Sequence, residues 1–126
     1  MDAFELAHLI DQQHRSKQDY LEFLRVPALS AGLYMLAAGA IDTQQPHTED
    51  EVYYIISGRG LIRVGSEDGP VEAGTVVYVK ANIEHRFHTI TEDLSILVIF
   101  APAEYTAAQP RTEGSRTPSP QGDGLA

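Results

Sequence analysis

Apolar and polar residues change rhythm along this chain. Over residues 2–14, Phe4, Leu6, Leu9 and Ile10 recur at helical spacing, opened by Asp2 with Glu5 three residues later, the form of a capping box. This pattern predicts one short N-terminal helix docked on the body of the protein. From about residue 31 the period becomes two. The runs "GLYML", "EVYYIIS", "LIRV", "TVVYV", "HRFHTI" and "LSILVIF" follow one another, punctuated by "SGRG", "GSEDGP" and "TED". Many short strands with no long helix between them predict an all-β sandwich or barrel of antiparallel strands. The last segment, "TAAQPRTEGSRTPSPQGDGLA", is rich in Pro, Gly, Ser and Thr and has little to bury, so residues 106–126 are expected to form a disordered tail.

Alternation also assigns faces. If residues 51–57 are a strand, Glu51, Tyr53 and Ile55 share one face and Val52, Tyr54 and Ile56 the other. Both faces are largely apolar, so both are expected to be covered. The outward stripe of Val52, Tyr54 and Ile56 suits burial against a second subunit, and a homodimer is expected. By the same alternation His85 and Phe87 face one way and Arg86 and His88 the other.

Length and composition narrow the rest. The chain has 126 residues, of which 43% are hydrophobic, enough for one ordinary core and one domain. A formal charge of −9 would repel phosphate backbones and anionic lipid surfaces, so neither nucleic acid nor a membrane is an expected partner. There is no cysteine, which removes disulfides, zinc–thiolate sites and cysteine nucleophiles and leaves any metal to nitrogen and oxygen donors. The start carries acid where a signal peptide needs base, and no apolar run is long enough to cross a bilayer. The expected location is the cytoplasm.

Candidate chemistry gathers in "QQPHTEDEVYYIISGRG", residues 44–60. His47 stands four residues before Glu51 in an acidic cluster, which is either a solvated acidic turn or half of a metal site. Gln45 shares the parity of His47, and His85 offers a second imidazole. Two histidines with one carboxylate suit a divalent first-row metal and leave positions open for substrate or dioxygen.

These spacings resemble those of the cupins, small double-stranded β-helix barrels of the jelly-roll type. The first cupin motif runs glycine, five residues, His, one residue, His, three or four residues, Glu, six residues, glycine. Gly39, Gln45, His47, Glu51 and Gly58 stand at those intervals, with Gln45 in place of the first histidine. The second motif runs glycine, five residues, Pro, one residue, Gly, two residues, His, three residues, Asn. Gly74 and His85 match it, while Lys80, Asn82 and Thr89 depart.

The resemblance covers about residues 31–102. It implies a jelly-roll cupin barrel over 31–105, preceded by a helix and extension in 1–30. It also implies a divalent metal ion (Fe, Mn, Ni or Zn) on His47, Glu51 and His85. Gln45 would then be a weaker fourth ligand or an amide that orients one. Tyr53 and Phe87 point inward, either as pocket walls or as plain core. Arg63 interrupts "LIRV" and is either an anchor for an anionic substrate or an exposed strand arginine. Glu49 is read as a solvated turn carboxylate that could alternatively serve as acid or base. His88 should face away from the site, and His8 and His14 should be solvated on the helix.

Two functions follow from the resemblance. One is a small metalloenzyme acting on an oxygen-containing small molecule, either dioxygenase-like or a Lewis-acid isomerase, lyase or decarboxylase. The other is a non-catalytic small-ligand-binding or structural module.

Overall fold

In a computed structural model the chain is described over residues 1–43 and 46–105. Gln45 and the tail at 106–126 therefore lie outside the described residues. The elements in order are helix α1 (Leu6–Ser16) and strands β1 (Tyr20–Val26), β2 (Leu29–Leu36), β3 (Asp50–Val64), β4 (Glu67–Glu72), β5 (Val76–Val79) and β6 (His85–Ala101). Glu5 is the N-cap of α1 without a side-chain cap bond, so the helix begins at Leu6 and the capping-box form at Asp2 and Glu5 does not operate. Leu9 and Gln13 are its buried face. The Gln13 side-chain amide donates to the carbonyls of Asp19 and Leu33, fastening the helix to β1 and β2. No helix among the described residues is long and apolar enough to cross a membrane.

All strand pairings are antiparallel and form a single path, β1–β2–β6–β3–β4, with β5 attached to β3. The expected closed jelly-roll barrel is therefore corrected: the topology is that of a double-stranded β-helix with a short N-terminal helix, but the path is open. The cause lies beside β6. Residues 37–43 run there as loop, not strand, and meet β6 at isolated points: the Ala38 N–H donates to the Asp93 carboxylate, the Gly39 N–H to the Ile90 carbonyl, and the Phe87 N–H donates to the Asp42 carboxylate. A side-chain oxygen thus takes the amide that a closing strand's carbonyl would have taken. Pro46, farther along the same loop, has no N–H to give a ladder.

The long strands β3 and β6 join runs that read as separate in the sequence. "EVYYIIS" and "LIRV" are one strand through "SGRG", and "HRFHTI" and "LSILVIF" are one strand through "TED". Their ladder is broken by register shifts between Ile55 and Leu61, where the ribbon bends. Gly58 makes the bend possible: its φ is +102°, and a Cβ there would overlap the backbone carbonyl of Asp93.

The concave side of the bent sheet is the core, including Tyr34, Tyr53, Ile55, Ile62, Phe87, Ile96, Val98 and Phe100. On the convex side Tyr54, Val76 and Tyr78 are exposed, with Tyr54 paired to Val76 and Tyr78 to the half-buried Val52.

Asp42 is the polar rivet of this core. Buried, it accepts hydrogen bonds from the Tyr34 hydroxyl and the Phe87 N–H, both at 2.8 Å, so burial and the adjacent carboxylate hold the Tyr34 phenol protonated. Removing Asp42 would leave two buried donors without that acceptor. Asp42→Ala is expected to lower unfolding stability by about 3 kcal/mol and Tyr34→Phe by about 1 kcal/mol, read from urea titrations. Equal small losses in both would show that the loop is not held through this carboxylate.

Candidate metal centre

The bend in β3 and β6 brings distant residues together. Glu51, the second residue of β3, stands opposite Phe100, and His85 opens β6 opposite Val64, at the other end of the same ribbon. Yet His85 Nε2 lies 3.0 Å from Glu51 Oε1, and His47 Nδ1 lies 3.7 Å from that same oxygen. All three residues are buried, with exposures of 7% for His47, 1% for Glu51 and 5% for His85. One donor atom from each can be chosen so that all lie within 4.8 Å of one another. His47 Nδ1, both Glu51 oxygens and His85 Nε2 have no hydrogen-bond partner, even though the ion-pair distances are short. Such a set of inward lone pairs is able to coordinate a divalent cation, and without one it is a poor use of buried polar atoms.

Each ring is oriented from its far side. His85 Nδ1 lies 2.8 Å from the Ile83 carbonyl, so Nδ1 carries the proton toward that oxygen and Nε2 faces Glu51. Burial lowers the His85 pKa, but the Glu51 carboxylate and the Ile83 carbonyl outweigh it and hold the imidazole above its ordinary value. His47 Nε2 lies 3.1 Å from Glu104 Oε2, which leaves Nδ1 toward Glu51. The His47 ring packs against Phe100 at 4.7 Å between centroids, and Tyr53 stands 6.0 Å from the His85 ring and 4.9 Å from that of Phe87.

Glu104 has no counterpart in the sequence reading. It follows β6 in a turn that folds back over the site: its N–H donates to Ser30 Oγ, and its carbonyl accepts from Arg25. Its carboxyl is raised by burial more than the bond to His47 lowers it. Nothing periodic marks the residue, because its contact with His47 spans 57 positions.

The other residues singled out by sequence fall as follows. Tyr53 and Phe87 are fully buried beside His85. Arg63 is half-exposed, ion-paired to Asp68 at 2.9 Å and directly across the strands from Arg86. Arg63 and Arg86 border a cavity of about 630 Å³ that also touches Asp42, Phe87 and His88, and a smaller one of about 150 Å³ at His85. His88 faces away from the cluster and pairs with Asp68. Glu49, expected in a solvated turn, is buried and accepts a bond from Thr48 Oγ1. His8 and His14 are exposed on α1.

The profile of the Cupin domain family matches residues 32–100. An uncharacterized protein of Streptomyces coelicolor is 49% identical over 104 residues, which cover 82% of this chain and 99% of that one. An oxalate-binding protein of Thermotoga maritima is 26% identical over 101 residues, covering 75% of each. An acireductone dioxygenase of Bacillus cytotoxicus is 34% identical over 58 residues, which are 42% of this chain and 34% of that protein. Among solved structures, the TT1209 protein from Thermus thermophilus superposes with a TM-score of 0.68 at 22% identity, covering 82% of this chain and 99% of that one, a likeness of fold.

The buried, unpartnered carboxylate of Glu51 has a measurable consequence. In chelator-treated protein, Glu51→Gln is expected to raise unfolding stability by about 1 kcal/mol, because a neutral amide is easier to bury than a charge with no hydrogen bond. A lower stability would mean that ion pairing with the two histidines outweighs the burial of the charge.

Proposed function

From the premise that the chain belongs to the Cupin domain family, we propose that it is a metal-dependent cupin enzyme acting on a small oxygen-containing molecule. The ion would be held by His47, Glu51 and His85. The observation that carries this reading is the convergence of four unpartnered buried donor atoms, two imidazole nitrogens and both oxygens of Glu51. Neutral nitrogen with a carboxylate suits Mn, Fe(II), Ni or Zn, and two histidines with one carboxylate leave coordination positions open. A divalent ion in that place supplies Lewis acidity toward an oxygen ligand, and a redox-active one supplies dioxygen chemistry as well.

The protein's own part is orientation and exclusion of water. The Ile83 carbonyl fixes the His85 tautomer, and Glu104 holds the His47 ring from behind, an arrangement that raises ligand basicity and sets ring direction. Phe100, Tyr53 and Phe87 keep the surroundings apolar, which strengthens every charge interaction within.

Similarity to an acireductone dioxygenase supports dioxygen chemistry, although the match spans only a third of that protein. A second reading, a module that binds a small carboxylate without turning it over, is favoured by the broader match to an oxalate-binding protein.

Elemental analysis of the purified protein tests the shared premise. About one divalent ion per chain is expected in the wild type and almost none in His85→Ala, with fold retained by circular dichroism. Glu104→Gln should weaken metal affinity roughly 10–100-fold. No uptake of Mn, Fe(II), Ni or Zn by the wild type would overturn the metal reading and leave a binding or structural module. With metal bound, turnover of candidate acids with and without dioxygen separates an oxygenase from a Lewis-acid enzyme, and binding without turnover would favour the second reading.

A further inference from the structure

Strand β2 contains a glycine whose reason is spatial. Gly32 sits mid-strand with its neighbours Ala31 and Leu33 in regular pairing, and its φ is not left-handed, so the backbone alone does not require glycine. What requires it is Tyr20. A Cβ on Gly32 would fall 2.5 Å from the Tyr20 hydroxyl oxygen and 2.7 Å from Cε1, closer than real Cβ atoms approach. Glycine in a strand interior weakens the strand and marks a close approach by another group. Here that group is the tip of a phenol crossing the sheet's concave face.

The pairing locates the tip. Gly32 lies opposite Val98, and Val98 opposite Tyr53. The next inward row along the same strands is Ser30, Phe100 and Glu51. The Tyr20 hydroxyl, over Gly32, is therefore on the same face as the carboxylate of the cluster, one row along and two strands across from Glu51, with Val98 and Phe100 of β6 between. Ser30 in that row holds the backbone of Glu104. The hydroxyl is fully buried and has no hydrogen-bond partner. Burial, then the charges of Glu104, Glu22 and Glu51, push the phenol well above its ordinary value, so it keeps a proton to donate. A buried O–H with nothing to donate to is rare enough to need an explanation.

Resting on the metal reading above, we infer that Tyr20 is the hydrogen-bond donor to a small carboxylate ligand held at the His47–Glu51–His85 centre, with Gly32 as the space that lets its ring reach there. An anionic oxygen is the acceptor that a lone phenol serves best, since bonds to charged acceptors are the strong ones. The buried negative charge of Glu51 and Glu104 would repel such a ligand unless a divalent cation offset it, so carboxylate binding should require the metal.

The test uses full-length protein loaded with Co(II), whose visible spectrum reports on its ligands, titrated with acetate and with oxalate. In wild type both should perturb the spectrum saturably, and without Co(II) neither should bind, as read by calorimetry. Tyr20→Phe should carry the same amount of Co(II) but bind acetate about tenfold more weakly, the loss of one hydrogen bond to a charged acceptor. Gly32→Ala keeps the hydroxyl but displaces it, and should weaken acetate binding similarly; if that variant fails to fold, Tyr20→Phe decides alone.

Equal acetate affinity in wild type and Tyr20→Phe would overturn the assignment while leaving the metal reading intact. Loss of Co(II) from Tyr20→Phe would overturn it in favour of a role at the metal itself, and so would a wild-type Co(II) spectrum insensitive to both acids. A wild type that takes up no Co(II) would overturn the metal reading and this inference with it, a failure told apart by the metal count.

Discussion

The structure depends on the bend in the ribbon formed by β3 and β6. These two strands pair from Asp50 opposite Ala101 to Val64 opposite His85. Laid straight, the thirteen steps from Glu51 to Val64 would span about 40 Å at a strand's usual rise. Instead the side chains of Glu51 and His85, at opposite ends, meet at 3.0 Å. The register shifts between Ile55 and Leu61, with Gly58 at their centre, make that return possible. The centre is thus built by folding one ribbon onto itself, and the remaining strands extend its flanks.

Because the ends meet through side chains and not through a strand ladder, the seam must be secured by other means. Asp42 secures it on one side, standing in for a strand carbonyl at the Phe87 amide. Glu104 secures it on the other, tying the turn after β6 to β1 through Arg25, to β2 through Ser30 and to the loop before β3 through His47. Both are buried carboxylates that serve as acceptors for specific donors, which is how a charge is tolerated away from water. Glu51 differs from them: it is as deeply buried, but neither oxygen has a hydrogen bond. The contrast separates two carboxylates that hold the fold from one whose oxygens are free of hydrogen bonds.

Local rhythm carried much of this. Alternation put Glu51, Tyr53 and Ile55 on one face, and all three are buried; it put His85 and Phe87 inside and His88 outside. The spacings from Gly39 to Gly58 and from Gly74 to His85 led to the family, because they encode where a bent ribbon returns. Punctuation misled where turn-forming residues lie inside a strand without ending it, the glycines of "SGRG" in β3 and the acidic "TED" in β6, so each read as two strands. Strand β1 was missed because its apolar residues do not alternate and its pairing is interrupted by a register shift between Glu22 and Leu24. Closure could not be read at all, since whether residues 37–43 pair as a strand depends on Asp42 reaching an amide 45 positions away.

Tyr20, Gly32 and Glu104 were invisible for the same reason, and their geometry gives the site a direction. Glu104 lies behind His47, on the side away from Glu51, where it can only orient the ring. The Tyr20 hydroxyl lies along the concave face, over a glycine that any side chain would have filled. One group orients an imidazole of the cluster, and the other leaves an unused hydroxyl on the same face two strands away. Mid-strand glycine is a stability loss in a sheet of this kind, and an unpartnered buried hydroxyl is another. A fold selected only for stability would have filled Gly32 and replaced Tyr20 by phenylalanine. Their coexistence beside an open carboxylate is the arrangement expected of a site whose hydrogen bonds are completed by its ligand.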